Sequence, residues 1–397
     1  MSKSLVLAFS FALFTLSCSG RRPNNNVYFS NNFEESTIIT EYDSILCDSE
    51  THCIYINDIT DLGGKRVIIP QGFKLVFDGG CLRNGTLVGK NTEIDYKEKC
   101  FDSIRIEGTW LVPYINSEMF CDLGQVNDIL NLMALANPII NNTIIINQGV
   151  YNVEVKNYDE ECLMVPSNTD FILKGIIRLL PNDFKNYNIL RITGDNVRIR
   201  GGGTIIGDKN YHKGKEGQWG MGIFIYGGRN IVIEDISIKD CWGDCIYIGG
   251  NSDNVIINNC CLDNGRRQGV SITSANIVEI KNSVITNIKG HAPETGIDIE
   301  PNEGQFVNKV VIDSVSIVNC VGGVLTYGYE NKARVGTILV KNCNIVGCKK
   351  IPFRFYGCKE VEMIKCSVEV APGSEGIQKE NILSFKNSGF IFRSVDN

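Results

Sequence analysis

A short apolar motif recurs in the second half of the chain and constrains the fold more than any other feature. Six copies begin at Ile231, Val255, Val278, Val310, Ile338 and Val361. Successive copies start 24, 23, 32, 28 and 23 residues apart. A unit of this length cannot bury its own apolar face, so the copies must stack and share one core.

Each copy alternates apolar and polar residues, and a second alternating run follows after a turn. Two or three short strands in a coil of about 23 residues are typical of a parallel β-helix. We predict an all-β fold in which residues 116–397 form this solenoid, right-handed as parallel crossovers are. Its core should contain stacked residues from the second runs, namely Ile246, Val270, Ile297 and Val324.

Like residues also recur at like positions of the repeat. Asn264, Asn287 and Asn319 share a turn position, whereas the inward-facing position is shared by Cys260, Cys343 and Cys366. We expect the Asn amides to bind turn backbone and the thiols to fill the core as small apolar groups. Most of the 16 cysteines should therefore be buried thiols, although export would permit disulfides.

The first residues predict export. Lys3 and the apolar run at 5–16 indicate a signal peptide over residues 1–17. Residues 15–18 (TLSC) resemble a relaxed lipobox of Bacteroidetes lipoproteins, which implies cleavage before Cys18 and lipid on its sulfur. An ordinary signal peptide is the alternative. We expect an outer-membrane lipoprotein, on the periplasmic side or at the cell surface, with residues 18–45 as tether.

Between the tether and the solenoid, residues 46–115 predict a small β-rich region with Gly turns. Residues 125–136 (QVNDILNLMALA) favour a helix. The order of this helix, the next strand and Gly149-Val150-Tyr151 resembles the start of pectate-lyase-like β-helices. That resemblance implies an N-terminal helical cap over the open end of the core.

Composition narrows the partners. With 39 basic and 45 acidic residues, the chain has no basic surplus for a phosphate backbone, so we expect no nucleic-acid partner. No apolar span long enough for a transmembrane helix follows the signal, so membrane contact is expected only through the lipid. The chain has no C-x-x-C pair, and His52, His212 and His291 lie far apart, so no metal site is predicted. We expect a monomer.

Chemistry is predicted on one outer face of the solenoid. In residues 297–300 (IDIE) the isoleucines point inward, so Asp298 and Glu300 project from the same outer face, roughly 6.6 Å apart. Neighbouring coils place Tyr247 and Ser271 beside Asp298, and Tyr327 beside Glu300. The turns that precede these strands, and the coil upstream, add further candidate residues to this groove. They are Trp219, Tyr226, Trp242, Asp244, Arg266, Arg267, Gln268 and His291.

Three consecutive coils carry a family resemblance. Residues 243–248 (GDCIYI) resemble the Asp-Asp-Cys-Ile-Ala-Ile stretch of polygalacturonase-type glycoside hydrolases, and residues 268–272 (QGVSI) resemble their His-Gly-Ile-Ser-Ile. Residues 296–300 (GIDIE) stand where that family has Gly-Ile-Arg-Ile-Lys. A group of bacterial right-handed β-helix proteins with Arg-Arg-Gln-Gly and Gly-Ile-Asp-Ile-Glu-Pro is similar more closely.

The departures from that family concern its catalytic positions. Asp244 stands at the second catalytic Asp, but Gly243 replaces the first and Gln268 replaces the His. Residues 219–221 (WGM) stand in place of Asn-Thr-Asp, and the uronate-binding cations have become Asp298 and Glu300. A carboxylate-lined groove would repel a polyuronate by like charge.

Three functions remain open at the level of the sequence. The first is a glycoside hydrolase for a neutral or amino-sugar polysaccharide or oligosaccharide, with Asp244, Asp298 and Glu300 as acid and base. The second is a lyase or epimerase for uronic acids, with Arg266 or Arg267 as base and carboxylate-bound calcium. The third is a non-catalytic glycan-binding lipoprotein. Only the second needs a cofactor.

Overall fold

The computed structural model of the protein describes residues 36–39, 42, 45–126, 128–155, 161–328, 334–370 and 376–394. The predicted signal peptide, the lipidation site Cys18 and most of the predicted tether lie outside these residues. Strands are numbered β1 to β38 in chain order. Within the described parts of the chain, no helix is long and apolar enough to cross a membrane.

The first eight strands form one sheet, joined through the long strand β7. Only β2 and β3 pair antiparallel there; the other pairings are parallel. The strands are β1 (Ser36–Ile38), β2 (Leu46–Asp48), β3 (Cys53–Ile56), β4 (Ile59–Asp61), β5 (Arg66–Ile68), β6 (Lys74–Phe77), β7 (Cys81–Tyr96) and β8 (Phe101–Trp110).

The remaining strands form three long parallel sheets, each of which receives one strand per coil. An 11-stranded sheet contains β9 (Tyr114–Asn116), β10 (Asn142–Ile146), β13 (Thr169–Leu173), β16 (Val197–Arg200), β19 (Arg229–Glu234), β22 (Asp253–Asn258), β25 (Ala275–Lys281), β28 (Val307–Asp313), β31 (Val335–Lys341), β34 (Cys358–Ile364) and β37 (Ser384–Ser388).

The second of these sheets has ten strands, one shortly after each strand of the first except β9. It contains β11 (Val150–Val153), β14 (Ile176–Leu179), β17 (Thr204–Ile206), β20 (Ser237–Lys239), β23 (Cys261–Asp263), β26 (Val284–Thr286), β29 (Ser316–Val318), β32 (Asn344–Cys348), β35 (Ser367–Val370) and β38 (Ile391–Ser394).

The third sheet has nine strands and bears the predicted groove. It contains β12 (Glu161–Val165), β15 (Asn186–Ile192), β18 (Trp219–Tyr226), β21 (Ile246–Gly249), β24 (Gln268–Ile272), β27 (Thr295–Ile299), β30 (Gly322–Tyr327), β33 (Phe353–Tyr356) and β36 (Ile377–Glu380). A chain that visits three parallel sheets in turn, coil after coil, is a parallel β-helix, as predicted.

The core consists of ladders of aliphatic residues that follow the coil register. Ile246, Val270, Ile297 and Val324 are direct neighbours in successive coils, and all four are buried. Cys260, Cys343 and Cys366 also lie inside, and ten of the 15 described cysteines are buried. The prediction of buried thiols is therefore confirmed, and every described cysteine is free.

The asparagine ladders differ in one respect from the prediction. Asn264 and Asn287 adopt positive φ angles of 53° and 57°, a backbone conformation that Asn tolerates better than most residues. Their amides donate to carboxylates of the preceding coil, Asp240 at 2.6 Å and Asp263 at 2.7 Å, rather than to turn backbone. These bonds therefore tie one coil to the next.

The helix expected over residues 125–136 is much shorter. Helix α1 spans only Ile129–Met133, buries Ile129, Leu132 and Met133, and contacts β8 and β12. Residues on either side form turns. A single helical turn of this kind does not establish the expected helical cap, and strand β9 already pairs with β10 at this end of the sheet.

Candidate active site

The outward side chains of the nine-stranded sheet form a ladder across the coils. Strand pairing places Phe224, Tyr247, Ser271 and Asp298 side by side. Tyr247 stacks on Phe224 with ring centroids 4.9 Å apart. Further along the same face, Tyr327 stacks on Tyr356 at 4.9 Å. Aromatic faces therefore flank the acidic position on both sides.

Three carboxyl groups gather around one guanidinium at the centre of this face. Asp298 lies in β27, and Glu300 is the first residue after the end of that strand. Asp244 lies two coils upstream, just before β21. The Arg267 guanidinium lies 3.6 Å from the Asp244 carboxylate and also acts electrostatically on Asp298 and Glu300. The four residues, which the sequence predicted as catalytic, are thus one cluster.

Gln268 connects two of these acids. Its backbone N–H donates to Asp244 Oδ1 at 3.2 Å, and its side-chain Nε2 donates to Asp298 Oδ2 at 2.7 Å. Gln268, Asp244 and Asp298 are 0%, 0% and 1% exposed. Both aspartates therefore project from the coil but are covered, whereas Glu300 is half-buried and reaches the surface.

Burial dominates the proton affinities of this cluster. Desolvation raises the pKa of Asp244 to about 7, although Arg267 and hydrogen bonds from Gln268 and Ser271 oppose the shift. Desolvation and the nearby Glu300 raise the pKa of Asp298 to about 8. Desolvation also raises the pKa of Glu300, against the pull of Arg267. Protons are therefore retained in the cluster at neutral pH.

Several buried atoms of the cluster lack a hydrogen-bond partner. They are Asp244 Oδ2, Asp298 Oδ1, Gln268 Oε1 and Arg267 Nε. Buried polar atoms in folded proteins are usually paired, so each unpaired one calls for an explanation, of which a catalytic role is one. Four such atoms in one cluster point to a functional site.

Beside the carboxyl cluster, a layered stack presents a second cation. The Arg266 guanidinium lies 3.7 Å from the centre of the Trp242 ring, and Trp242 stacks on His212 with centroids 3.9 Å apart. Arg266 also donates to the carbonyl of Gly217 at 2.9 Å. Partial burial lowers the pKa of Arg266, and no carboxylate among the described residues counters that shift.

The base of this stack is a buried polar cluster that the sequence did not predict. The Asp208 carboxylate accepts from the Tyr187 hydroxyl and from the Asn182 amide at 3.0 Å, and it faces His212 Nδ1 at 2.8 Å. Asp208 is buried, as are the side chains of His212 and Tyr187. His212 lies in a polar insertion, but nothing in sequence spacing relates it to Tyr187.

The other predicted binding residues divide into two groups. His291 joins the cationic side: its Nε2 lies 2.8 Å from Gln218 Oε1, and burial together with Arg266 and Arg267 lowers its pKa. Ser271 is buried beside Asp244. Trp219 and Tyr226 are 46% and 41% exposed on the rim, and Tyr226 stacks on Phe224 at 5.5 Å.

Metal binding finds no ready donor set. Among the described residues, no group of three or more His, Cys, Asp or Glu side chains is arranged to hold a metal ion. The carboxyl cluster instead combines retained protons with an arginine. Calcium binds ionised carboxylates together with carbonyl and water oxygens; carboxyl groups that keep their protons beside an arginine are poor ligands, so these residues do not fit the calcium expected for a lyase.

Known proteins agree with this architecture. Residues 179–337 match the family model described as a right handed beta helix region. With its three parallel sheets, the protein is a right-handed parallel β-helix.

Two relatives come from Bacillus subtilis (strain 168). The SPbeta prophage-derived uncharacterized protein YorA is 30% identical over 162 residues, which cover 35% of this chain and 28% of YorA. The uncharacterized protein YclG is 31% identical over 160 residues, which cover 35% of this chain and 27% of YclG. The match thus spans less than a third of either relative.

Solved structures match the chain only at low sequence identity and low TM-score. One is the catalytic domain of an α-1,3-glucanase in complex with nigerose (TM-score 0.35, 12% identity, 85% of this chain and 63% of that one). A putative glycosyl hydrolase from Parabacteroides merdae has a TM-score of 0.30 and 13% identity, over 70% and 98% of the chains. The A-module of the Azotobacter vinelandii mannuronan C-5 epimerase AlgE4 has the same score and identity, over 65% and 89%.

Proposed function

We propose that the protein is a glycoside hydrolase whose reacting sugar is neutral or an amino sugar. The observation that carries this proposal is the gathering of three carboxyl groups around one arginine. If Asp244, Asp298 and Glu300 were all ionised, Arg267 would balance only one of their three charges. Burying the remaining charge is costly, so at least one carboxyl keeps its proton.

A retained proton is what the leaving group of a glycosidic bond requires. Asp298, whose pKa is raised to about 8, holds a proton at neutral pH and is the proposed general acid. Because Asp298 is covered, protonating a substrate requires that the groups above it shift when the glycan binds. Glu300 is the most accessible of the three acids and is the proposed base.

The spacing of this pair favours inversion. Residues i and i+2 of a parallel strand are about 6.6 Å apart along the strand. Inverting glycosidases hold their carboxyl groups about 6.5–9.5 Å apart, so that a water molecule fits between the base and the sugar. The stacked aromatic faces of Phe224, Tyr247, Tyr327 and Tyr356 offer surfaces on which sugar rings pack.

The lyase alternative is less compatible with these contacts. Its base would be Arg266 or Arg267, and either guanidinium would have to give up a proton first; Arg267 would do so beside three carboxyl groups. A guanidinium is protonated in proteins, and the ion pair with Asp244 strengthens that preference. Product analysis separates the two reactions, because elimination leaves an unsaturated sugar and hydrolysis adds the elements of water.

The test is a screen of neutral, amino-sugar and acidic glycans with product mass analysis, followed by kinetics of Asp298→Asn and Glu300→Gln. Each substitution should lower turnover by about two to four orders of magnitude. Glu279→Gln is the matched control, because Glu279 is an outward strand carboxylate of another sheet, paired with Lys281 at 2.7 Å. Unchanged turnover in both site variants would refute the acid and base assignment.

Binding without turnover is the remaining alternative. A glycan-binding lipoprotein would retain affinity for a glycan while neither the wild type nor any variant released product. Export and lipidation at Cys18 remain part of the proposal, supported by the N-terminal sequence.

A further inference from the structure

Within the part of the chain that the structure describes, Arg266 is a partly buried cation without an acidic counterpart. Arg267, its neighbour in the chain, is paired with Asp244, but among the described residues no ion pair involves Arg266, and its surroundings supply no carboxylate that favours its charge. Its only hydrogen bond there is to the Gly217 carbonyl. A guanidinium has five N–H donors, so most of its binding capacity is unused.

The structure also holds this guanidinium in a preformed position. Arg266 lies on Trp242, Trp242 lies on His212, and His212 is held by the buried Asp208 carboxylate. Lys209, next to Asp208, donates to Asn264 at 2.7 Å and to the Lys289 carbonyl at 2.9 Å. The insertion that carries the stack is therefore tied to the coil that contains Arg266 and to the coil that follows it.

We propose that Arg266 binds an anionic substituent, a carboxylate or a sulfate ester, carried by the sugar that adjoins the reacting one. This inference rests on the proposed glycan activity and specifies the substrate class. An arginine fork recognises planar or tetrahedral oxyanions through paired hydrogen bonds. The reacting sugar stays uncharged beside the carboxyl cluster, and the adjoining sugar brings the counterion that Arg266 lacks.

Inorganic sulfate and acetate test the site directly on the whole chain. Arginine side-chain Nε–Hε NMR signals are followed while each salt is added, with chloride at equal ionic strength as reference. One signal should shift saturably, and it should be absent from Arg266→Gln but present in Arg178→Gln, which removes an exposed arginine of β14. Saturation by sulfate, acetate or both identifies the oxyanions that fit; no saturable shift, or one that persists in Arg266→Gln, overturns the proposal.

A glycan array then tests the substrate class. The glycans that bind the wild type should carry a carboxylate or sulfate, and Arg266→Gln should weaken that binding by about tenfold or more. Arg266→Lys keeps the charge without the planar fork and should give an intermediate loss, and Arg178→Gln should bind like the wild type. Selection of neutral glycans, or equal binding by Arg266→Gln, overturns the proposal.

The outcome is separable from that of the hydrolase proposal. If Asp298→Asn and Glu300→Gln leave turnover unchanged while Arg266 still selects anionic glycans, the acid and base assignment fails and the anion site stands. If hydrolysis depends on Asp298 but is insensitive to Arg266, the acid assignment stands and the anion site fails.

Discussion

Replacing Asp298 by asparagine is expected to stabilise the folded protein at alkaline pH. Asp298 is buried, and its Oδ2 accepts a hydrogen bond from Gln268 at 2.7 Å. An asparagine oxygen accepts the same bond and occupies the same volume. The substitution therefore removes a buried ionisable group while it leaves the packing and the hydrogen bond in place.

The sign follows from the raised pKa. The folded protein keeps the proton of Asp298 up to about pH 8, whereas the unfolded chain releases it near 3.8. Stability from this group is therefore fully present below about pH 4 and is lost as the pH rises through 8. At about 1.4 kcal/mol per pH unit the full shift corresponds to about 6 kcal/mol. Because Asp244 and Glu300 share the effect, we expect the asparagine variant to gain about 2–4 kcal/mol at pH 9.

Urea unfolding at pH 5, 7 and 9 measures this difference. The wild type should lose stability across the series, and Asp298→Asn should flatten the loss. Asp313→Asn is a control in which the change in stability should have the opposite sign. Burial acts to raise the pKa of Asp313, but hydrogen bonds from Asn342, Lys341 and Ser314 lower it overall. If Asp298→Asn is no more stable than the wild type at pH 9, Asp298 is a stabilised anion and the general-acid argument fails.

Three further predictions concern the cluster, the ladders and the N-terminus. Arg267→Gln leaves the buried Asp244 without its cation and should cost about 2–3 kcal/mol in urea unfolding at pH 9, and Asp244→Asn in the same chain should recover most of it. Asn230 has a φ of 57°; its side chain donates a hydrogen bond to Asn196 at 3.0 Å and accepts one from Asn254 at 2.9 Å. Asn230→Ala should therefore lower the free energy of unfolding by about 1–2 kcal/mol, and Asn230→Gly, which tolerates that φ, should lower it less. Equal losses in the two variants would contradict the strain argument. Cys18→Ala should abolish metabolic labelling with palmitate and membrane recovery, and a variant still labelled would place the lipid elsewhere.

The repeat determines most of the solenoid because its cause is local. Because apolar residues occupy every second position, Ile246, Val270, Ile297 and Val324 point into the core regardless of what surrounds each strand. The similar spacing from coil to coil then stacks these four side chains on one another. The same alternation predicted that Asp298 and Glu300 share a face. The helix at 125–136 was overestimated because apolar periodicity does not reveal where turns end a helix.

Burial of the acids depended on tertiary structure. Alternation predicts that Asp298 leaves the coil, but it does not predict that the folded chain buries this carboxyl group. Burial and the nearby Glu300 raise its pKa, against the opposing effects of Arg267 and of the hydrogen bond from Gln268. The stack from Asp208 to Arg266 likewise joins an insertion to turns one and two coils away. Sequence spacing determines which way a side chain points along its own strand, whereas desolvation and charge pairing depend on what other coils bring to the same point in space, and so only the folded chain decides them.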